Sequence, residues 1–251
     1  MLDSSQEKLR TVLARRDNGF RWRGHEVTRV EGLSDAVFAF AITLLVVSLE
    51  VPKTFAQLRE TMQGFVGFAL CFLMLLFIWH AQYLYFRRYA LDDRISFLLN
   101  ALLLFVVAFY IYPLKFLFTL LVHRLMGIPM LDDGVPVPMM TRQESSELMI
   151  IYSAGFVALY AIFALLYAHA YRLRDALGLD AMETHETYGV TRQHVVMMLI
   201  GILSLLLAWL QRPALSGMIY FLISPAMGVL GWMHGRRRKV LMAERDRAVE
   251  A

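Results

Sequence analysis

Charged residues and cysteine are both scarce in this sequence. Of its 251 residues, 18% are charged and 58% are hydrophobic, whereas a soluble domain carries about 25% charge. Cys71 is the only cysteine, so no disulfide can form within the chain, and cysteine usage says nothing of an oxidising compartment. The shortage of charge argues against a soluble globular domain.

The signatures of several protein classes are also missing. The sequence has no Gly-x-Ser-x-Gly, no His-Glu-x-x-His, no phosphate-binding glycine loop and no paired intramembrane carboxylates. We therefore expect no enzymatic activity and no cofactor. The Thr-Val-Gly-Tyr-Gly motif is absent as well, which excludes a potassium channel built on that carbonyl filter.

Long hydrophobic runs are what the chain does contain. A helix needs about 20 residues to cross a hydrocarbon core of about 30 Å. Six segments reach this length, at residues 33–51, 64–86, 95–122, 147–171, 190–210 and 214–234. Because buried helices of soluble proteins are shorter and amphipathic, the sequence predicts an all-α integral membrane protein with six transmembrane helices.

Basic residues are distributed unevenly around these segments. Most of the 25 lysines and arginines lie before the first segment, after the second, after the fourth and after the sixth. The positive-inside rule therefore predicts that both termini are cytoplasmic. The basic run 236–239 directly follows a span, so we interpret it as an anchor against membrane lipid and expect no nucleic-acid partner.

The segments divide the chain into three parts. These are a cytoplasmic extension at 1–30, a six-helix transmembrane domain at 31–235 and a basic cytoplasmic tail at 236–251. Within the domain, residues 175–189 are predicted to form a polar cytoplasmic linker. Glu183, His185 and Glu186 in this linker are interpreted as solvated rather than metal-binding, since no second ligand cluster of fixed spacing is visible.

An ionisable residue lies at the start of the first segment. Asp35 is at or just inside the predicted membrane boundary, where a charge without a partner is costly. Arg29 and the Ser34 hydroxyl are candidate partners, which would make Asp35 a structural or functional keystone. Alternatively, Ser34 or Asp35 simply caps the helix N-terminus. The residues by themselves leave both interpretations open.

The rest of the first segment has one distinctive helical face. At about 100° per residue, four side chains fall within an arc of about 100°. This apolar stripe consists of Phe40, Thr43, Leu44 and Val47. Ala36, Ala39 and Ala41 are small enough for close helix approach. Taken alone, such a stripe more often packs or faces lipid than lines a pore.

The same region resembles a known family. Arg29, Ser34 and Asp35 are similar to the Arg-x-x-x-Phe-Ser-Asp signature of the transmembrane-protein-175 cation channels, with Leu33 in place of Phe. Further matches extend the resemblance over about residues 29–113, although the family usually has His where Gln82 stands. They are Trp79, Gln82, Phe86, Asp92 or Asp93, Asn100 and Pro113.

This resemblance implies a homotetramer in the inner membrane of a bacterium, with the first helix of each subunit lining a central pore. It implies a hydrophobic constriction at Phe40, where relatives usually have Ile or Leu, and further pore-facing positions at Leu44 and Val47. Selectivity would arise at Thr43, beside the potassium pathway. The three motif residues would form a network joining helices behind the pore.

The predicted function is therefore a passive, potassium-permeable channel without a carbonyl filter. A secondary transporter of ions or small solutes is the alternative. No span has a Gly- or Pro-broken midpoint with charged residues, and no inverted repeat is apparent, which favours the channel.

Overall fold

The chain folds into a bundle of long helices. The structure, a computed structural model, describes residues 16–17, 20–24, 26–47, 51–126, 131–132, 135–136 and 140–250. The helices are α1 Arg29–Val47, α2 Phe55–Gln63, α3 Phe65–Tyr89, α4 Arg94–Met126, α5 Arg142–Arg172, α6 Ala181–Trp209, α7 Pro213–Ile219 and α8 Ile223–Glu250, with a 3₁₀ turn at Tyr220–Leu222 between the last two. Two antiparallel hairpins pair β1 Arg16–Asp17 with β2 Phe20–Arg21, and β3 Leu131–Asp132 with β4 Val135–Pro136.

Six helical stretches are long and apolar enough to cross a membrane, which confirms the predicted six-span, all-α membrane architecture. They are Arg29–Val47, Phe65–Tyr89, Arg94–Leu121, Arg142–Arg172, Ala181–Trp209 and Pro213–Arg238. In the most apolar 18-residue stretch of each span, only 6% to 33% is buried within the chain. The remaining apolar surface needs lipid or another subunit to cover it.

The predicted polar linker at 175–189 is wrong from residue 181 onward, because α6 begins at Ala181. Asp180 caps this helix: its carboxylate accepts the Glu183 N–H at 2.8 Å, and the Glu183 carboxylate accepts the Asp180 N–H at 3.2 Å. Thr141 caps α5 with the same capping box. Hydropathy identifies the part of a helix that meets hydrocarbon, whereas caps decide where the helix starts.

A short helix, α2, lies between the first two spans and was not predicted. Thr54 caps it by accepting the Gln57 N–H at 3.2 Å. Phe55, Leu58 and Met62 are 82%, 43% and 58% exposed. Apolar side chains exposed on a short helix that directly precedes a span suit the boundary between headgroups and acyl chains.

The segment before α1 packs against the end of the bundle. Phe20 is buried, with its ring centroid 5.5 Å from that of Tyr89 in α3. The backbone N–H of Arg23 donates to the Arg87 carbonyl at 3.0 Å, and its guanidinium donates to the Glu183 carboxylate at 2.6 Å. These contacts bring the start of α1, the end of α3 and the start of α6 to one end of the molecule. Residues 1–15 of the predicted extension lie outside the described residues.

Buried tyrosines hold α3, α5 and α6 together at this end. The ring of Tyr167 lies 5.4 Å from that of Tyr85 and 5.8 Å from that of Tyr89. The Thr187 hydroxyl donates to the Glu183 carbonyl at 2.7 Å, so the Tyr89 hydroxyl, 2.8 Å away, donates to Thr187. Pairing these hydroxyls avoids the cost of unsatisfied polar groups within a membrane protein.

Candidate functional site

The helix α1 begins with a capping box that the sequence analysis missed. The Thr28 hydroxyl accepts the Glu31 N–H at 3.2 Å, and the Glu31 carboxylate accepts the Thr28 N–H at 2.8 Å. The Thr-x-x-Glu spacing was the available signal. Since the helix already starts at Arg29, Ser34 and Asp35 lie inside it, and the alternative in which either of them caps the helix is wrong.

One face of α1 is buried against α3 and α4. Its buried residues recur every three or four positions, as expected for one side of a helix. They are Glu31, Ser34, Phe38, Ala41 and Leu45. The apolar stripe lies on the other side of the helix from this seam: Phe40 and Val47 are 61% and 71% exposed, Thr43 is exposed, and Leu44 is half-buried at the edge.

Thr43 provides the one hydroxyl in the apolar stripe. This hydroxyl donates its hydrogen to the Ala39 carbonyl at 2.9 Å. A hydroxyl oxygen has two lone pairs, and neither is used in this contact. The oxygen can therefore accept a hydrogen bond from water or coordinate a cation.

A buried chain of hydrogen bonds joins α1 to α3 and α4. The Gln82 side-chain amide donates to the Asn100 carbonyl oxygen at 3.2 Å, and the Asn100 amide donates to the Ser34 hydroxyl at 2.9 Å. Ser34 in turn donates to the Val30 carbonyl at 2.8 Å. The side chains of Gln82, Asn100 and Ser34 are buried. A buried polar group that loses its partner is left unsatisfied. These hydrogen bonds thus fix the position of α1 against α3 and α4.

Asp35 has a partner that the sequence analysis did not assign to it. The Trp79 indole N–H donates to its carboxylate at 2.7 Å. The side chain of Arg29 is exposed and makes no hydrogen bond or ion pair among the residues that the structure describes. Within one chain, two of the three motif residues therefore contact the next two spans: Ser34 binds Asn100 and Asp35 binds Trp79. Arg29 lies on the surface.

A chain of charges anchors the first turn of α1. The Arg87 guanidinium lies 3.6 Å from the Glu31 carboxylate and donates to the Gly24 carbonyl at 3.0 Å. On the other side of this segment, Arg23 pairs with Glu183, whose side chain is fully buried, so the prediction that Glu183 is solvated is wrong. The sequence offered no signal for this pair, because 160 residues separate its members.

A further polar cluster ties α4 to α5. The Asp93 carboxylate accepts the Ser96 hydroxyl at 2.6 Å and the Ile95 N–H at 3.1 Å, and it lies 2.9 Å from His169 Nε2. Partial burial raises the pKa of Asp93, but these hydrogen bonds and the His169 contact outweigh it and lower the pKa below its ordinary value. Because an ionised carboxylate only accepts hydrogen bonds, Nε2 of His169 carries the proton.

The fold and this arrangement define a six-span membrane protein whose first helix is anchored by buried polar contacts on one side and exposes an apolar stripe on the other. Residues 29–110 match the family model described as the endosomal/lysosomal potassium channel TMEM175. A potassium channel of Marivirga tractuosa is 35% identical over 237 residues, which cover 90% of this chain and 94% of that relative. The chain belongs to the TMEM175 family.

Two further similarities agree with this assignment. A potassium channel of Chamaesiphon minutus is 28% identical over 177 residues, covering 67% of this chain and 77% of that relative. The crystal structure of a variant of the potassium channel MtTMEM175, bound to a nanobody fusion protein, has a TM-score of 0.77 and 34% identity, covering 88% of this chain and 99% of that one. The family resemblance is confirmed, as is the prediction that the protein is not an enzyme, because the family is one of channels.

Proposed function

We propose that the protein is a passive potassium channel of the bacterial inner membrane, with both termini in the cytoplasm and a pore lined by α1. One observation carries the pore assignment. No residue that the structure describes covers the side of α1 away from the bundle, and this side contains Phe40, Thr43 and Val47 in one line. The relatives named as potassium channels support the choice of ion.

The pore requires an assembly, and we propose a homotetramer with the four α1 helices at its axis. Lipid provides no hydrophobic drive between helices, so small residues must allow the close packing. Ala36 and Ala39 are exposed on α1 and available for this contact. Ala41 is 1% exposed and packs within its own subunit instead.

Replacing Ala39 with leucine should weaken the tetramer, because the added side chain separates the helices. Mass photometry in nanodiscs should then find mainly monomers and dimers, against tetramers for the unchanged protein. Ala154→Leu, at an exposed alanine of α5, is the control and should stay tetrameric. A monomeric mass for the unchanged protein would contradict the central pore.

The passage of ions would combine two features of α1. Apolar side chains at Phe40 would form a neck in which water has no hydrogen-bond partners, and a neck of this kind gates by dewetting. Thr43 lies about one turn away along the helix and would replace part of the hydration shell of potassium with its hydroxyl oxygen. No carbonyl filter takes part in this proposal.

Thr43→Ala should lower the preference for potassium over sodium while leaving the total flux nearly unchanged, because it removes an oxygen ligand without adding bulk. Reversal potentials under mixed potassium and sodium gradients measure this preference. Thr43→Ser retains the hydroxyl and should keep most of the selectivity. Equal selectivity in all three proteins would remove Thr43 from the ion pathway.

A transporter is less well supported. The sixth span is interrupted by the 3₁₀ turn Tyr220–Leu222, and interrupted helices hold substrates in many transporters. The hydroxyls near this turn satisfy one another, however: Tyr220 donates to Ser153 at 3.1 Å, and Ser204 lies 2.9 Å from Ser153 and 2.8 Å from Ser216. Residues 213–233 contain no Asp, Glu, Lys or Arg that would bind an ion.

Reconstitution into liposomes tests the proposed function directly. Purified protein should conduct potassium down its gradient, with a flux that grows with the membrane potential and needs no counter-ion. Protein-free liposomes are the control. Saturable flux that is strictly coupled to a second ion would instead identify a transporter.

A further inference from the structure

A groove lies between α4 and α5 at the end of the molecule where α4 begins and α5 ends. Its volume is about 190 Å³. It is lined by Ile95, Leu99, Leu165, Ala168, His169 and Arg172. Arg172 is the last residue of α5 and Ile95 the second of α4, so the groove opens at the end of the bundle. Neither the proposed pore nor the motif network uses these residues.

The walls of this groove suit an acyl chain. Ile95 and Leu165 are 50% and 54% exposed, although both belong to membrane spans. Apolar side chains exposed on a membrane span need lipid or another subunit to cover them. The groove thus adjoins exposed apolar surface at the end of both spans, the level at which headgroups begin.

An exposed arginine lies at the mouth of the groove. Arg172 is exposed and makes no ion pair among the described residues, and the same is true of Arg94 beside Ile95. His169 is instead held by Asp93, so it forms part of the wall. A guanidinium at headgroup level is suited to paired hydrogen bonds with a phosphate.

Two aspartates lie in the connection before α4, and they differ in whether other groups hold their carboxylates. The Asp93 carboxylate is occupied by Ser96, by a backbone N–H and by His169. Asp92 is exposed and no such contact holds its carboxylate among the described residues. Asp92 should therefore oppose an anion near the mouth, which gives the experiment a substitution with the opposite sign.

We propose that this groove binds an anionic phospholipid, with one acyl chain between α4 and α5 and the phosphate on the guanidinium of Arg172. Basic pockets between membrane helices are the known setting for anionic headgroups. The guanidinium at the mouth and the apolar walls beside it together match the phosphate and the acyl chain of a single lipid molecule.

Native mass spectrometry tests the proposal on protein reconstituted in nanodiscs of phosphatidylcholine and phosphatidylglycerol. Phosphatidylglycerol should remain bound to the released protein in preference to phosphatidylcholine. Arg172→Gln should reduce this retention about fivefold or more, and Asp92→Asn should increase it. Arg174→Gln is the matched control, because the Arg174 guanidinium pairs with the Asp175 carboxylate at 3.7 Å and does not line the groove.

Filling the groove provides an independent arm. Ala168→Phe should displace the lipid, whereas Ala154→Phe, at an exposed position of the same helix, should not. Three results would each overturn the proposal: unchanged retention in Arg172→Gln and Ala168→Phe, equal retention of phosphatidylcholine, or disulfides between subunits through Leu165→Cys, which would show that another copy occupies the groove.

Discussion

Phe40→Ala should raise the potassium flux of the reconstituted protein about tenfold. Phe40 is 61% exposed on α1, so four such rings would meet at the axis of the proposed tetramer. Rings of this size make a narrow, apolar neck, which disfavours water and therefore ions. A tenfold rise corresponds to a barrier lower by about 1.4 kcal/mol, a modest change for a neck that loses four aromatic rings.

One further substitution, with a matched control, distinguishes the effect of water entering the neck from the effect of side-chain size. Phe40→Asn should raise the flux beyond that of Phe40→Ala, because an amide offers hydrogen bonds to water in the neck. Val46→Ala is the matched control: Val46 is 49% exposed on the same helix but lies off the apolar stripe, and its removal should leave the flux within about twofold.

Thiol accessibility and potassium flux together can contradict the pore assignment. Cysteines placed at positions 40 and 44 should react with water-soluble thiol reagents, and the native Cys71 does not interfere because it is buried. If both positions stay inaccessible while Phe40→Ala leaves the flux unchanged, the apolar stripe faces protein or lipid instead.

Glu183→Ala should destabilise the fold by about 3–5 kcal/mol, the usual cost of breaking a buried ion pair. The Glu183 side chain is fully buried and accepts from the guanidinium of Arg23 and the backbone N–H groups of Arg21 and Asp180. Its loss leaves the Arg23 guanidinium, whose side chain is 17% exposed, without its counter-ion, although the carbonyls of Leu177 and Gly178 still accept from it. The midpoint of thermal unfolding in detergent should fall by about 10 °C.

The double variant Arg23→Ala with Glu183→Ala distinguishes the ion pair from the loss of packing. It should be more stable than Glu183→Ala alone, because no guanidinium is left without its partner. Glu147→Ala, at an exposed glutamate of α5, is the control and should change stability by less than about 0.5 kcal/mol. A Glu183→Ala protein that melts with the unchanged one would show that the segment before α1 does not brace the bundle.

Several elements were predictable because their causes are local. The six spans follow from hydrocarbon thickness, which demands about 20 apolar residues in a row. The apolar stripe follows from helical periodicity: three of its four members are exposed away from the buried seam of α1, and Leu44 is half-buried at the edge. The capping boxes at Thr28 and Asp180 were equally local, since each rests on a glutamate three residues later, and attention to them would have placed the starts of α1 and α6.

The partners of the motif residues were not predictable. Asn100 contacts Ser34 across 66 residues, and Trp79 contacts Asp35 across 44, so no spacing along the chain reveals either pair. Arg29 was an equally reasonable partner for Asp35 by distance in sequence, yet it lies on the surface. Which side chains meet depends on how the helices rotate and cross.

The amino-acid sequence by itself determined the membrane class, the number of spans, the basic residues at alternate connections and the face of the first helix that the bundle leaves exposed. Each depends on patterns within about 20 residues, the length over which hydropathy and helical periodicity act. Only the tertiary structure decided the Gln82–Asn100–Ser34 chain, the Arg23–Glu183 pair and the groove at Arg172. These join residues that are far apart in the sequence, and packing between whole helices and the segment before α1 brings them together.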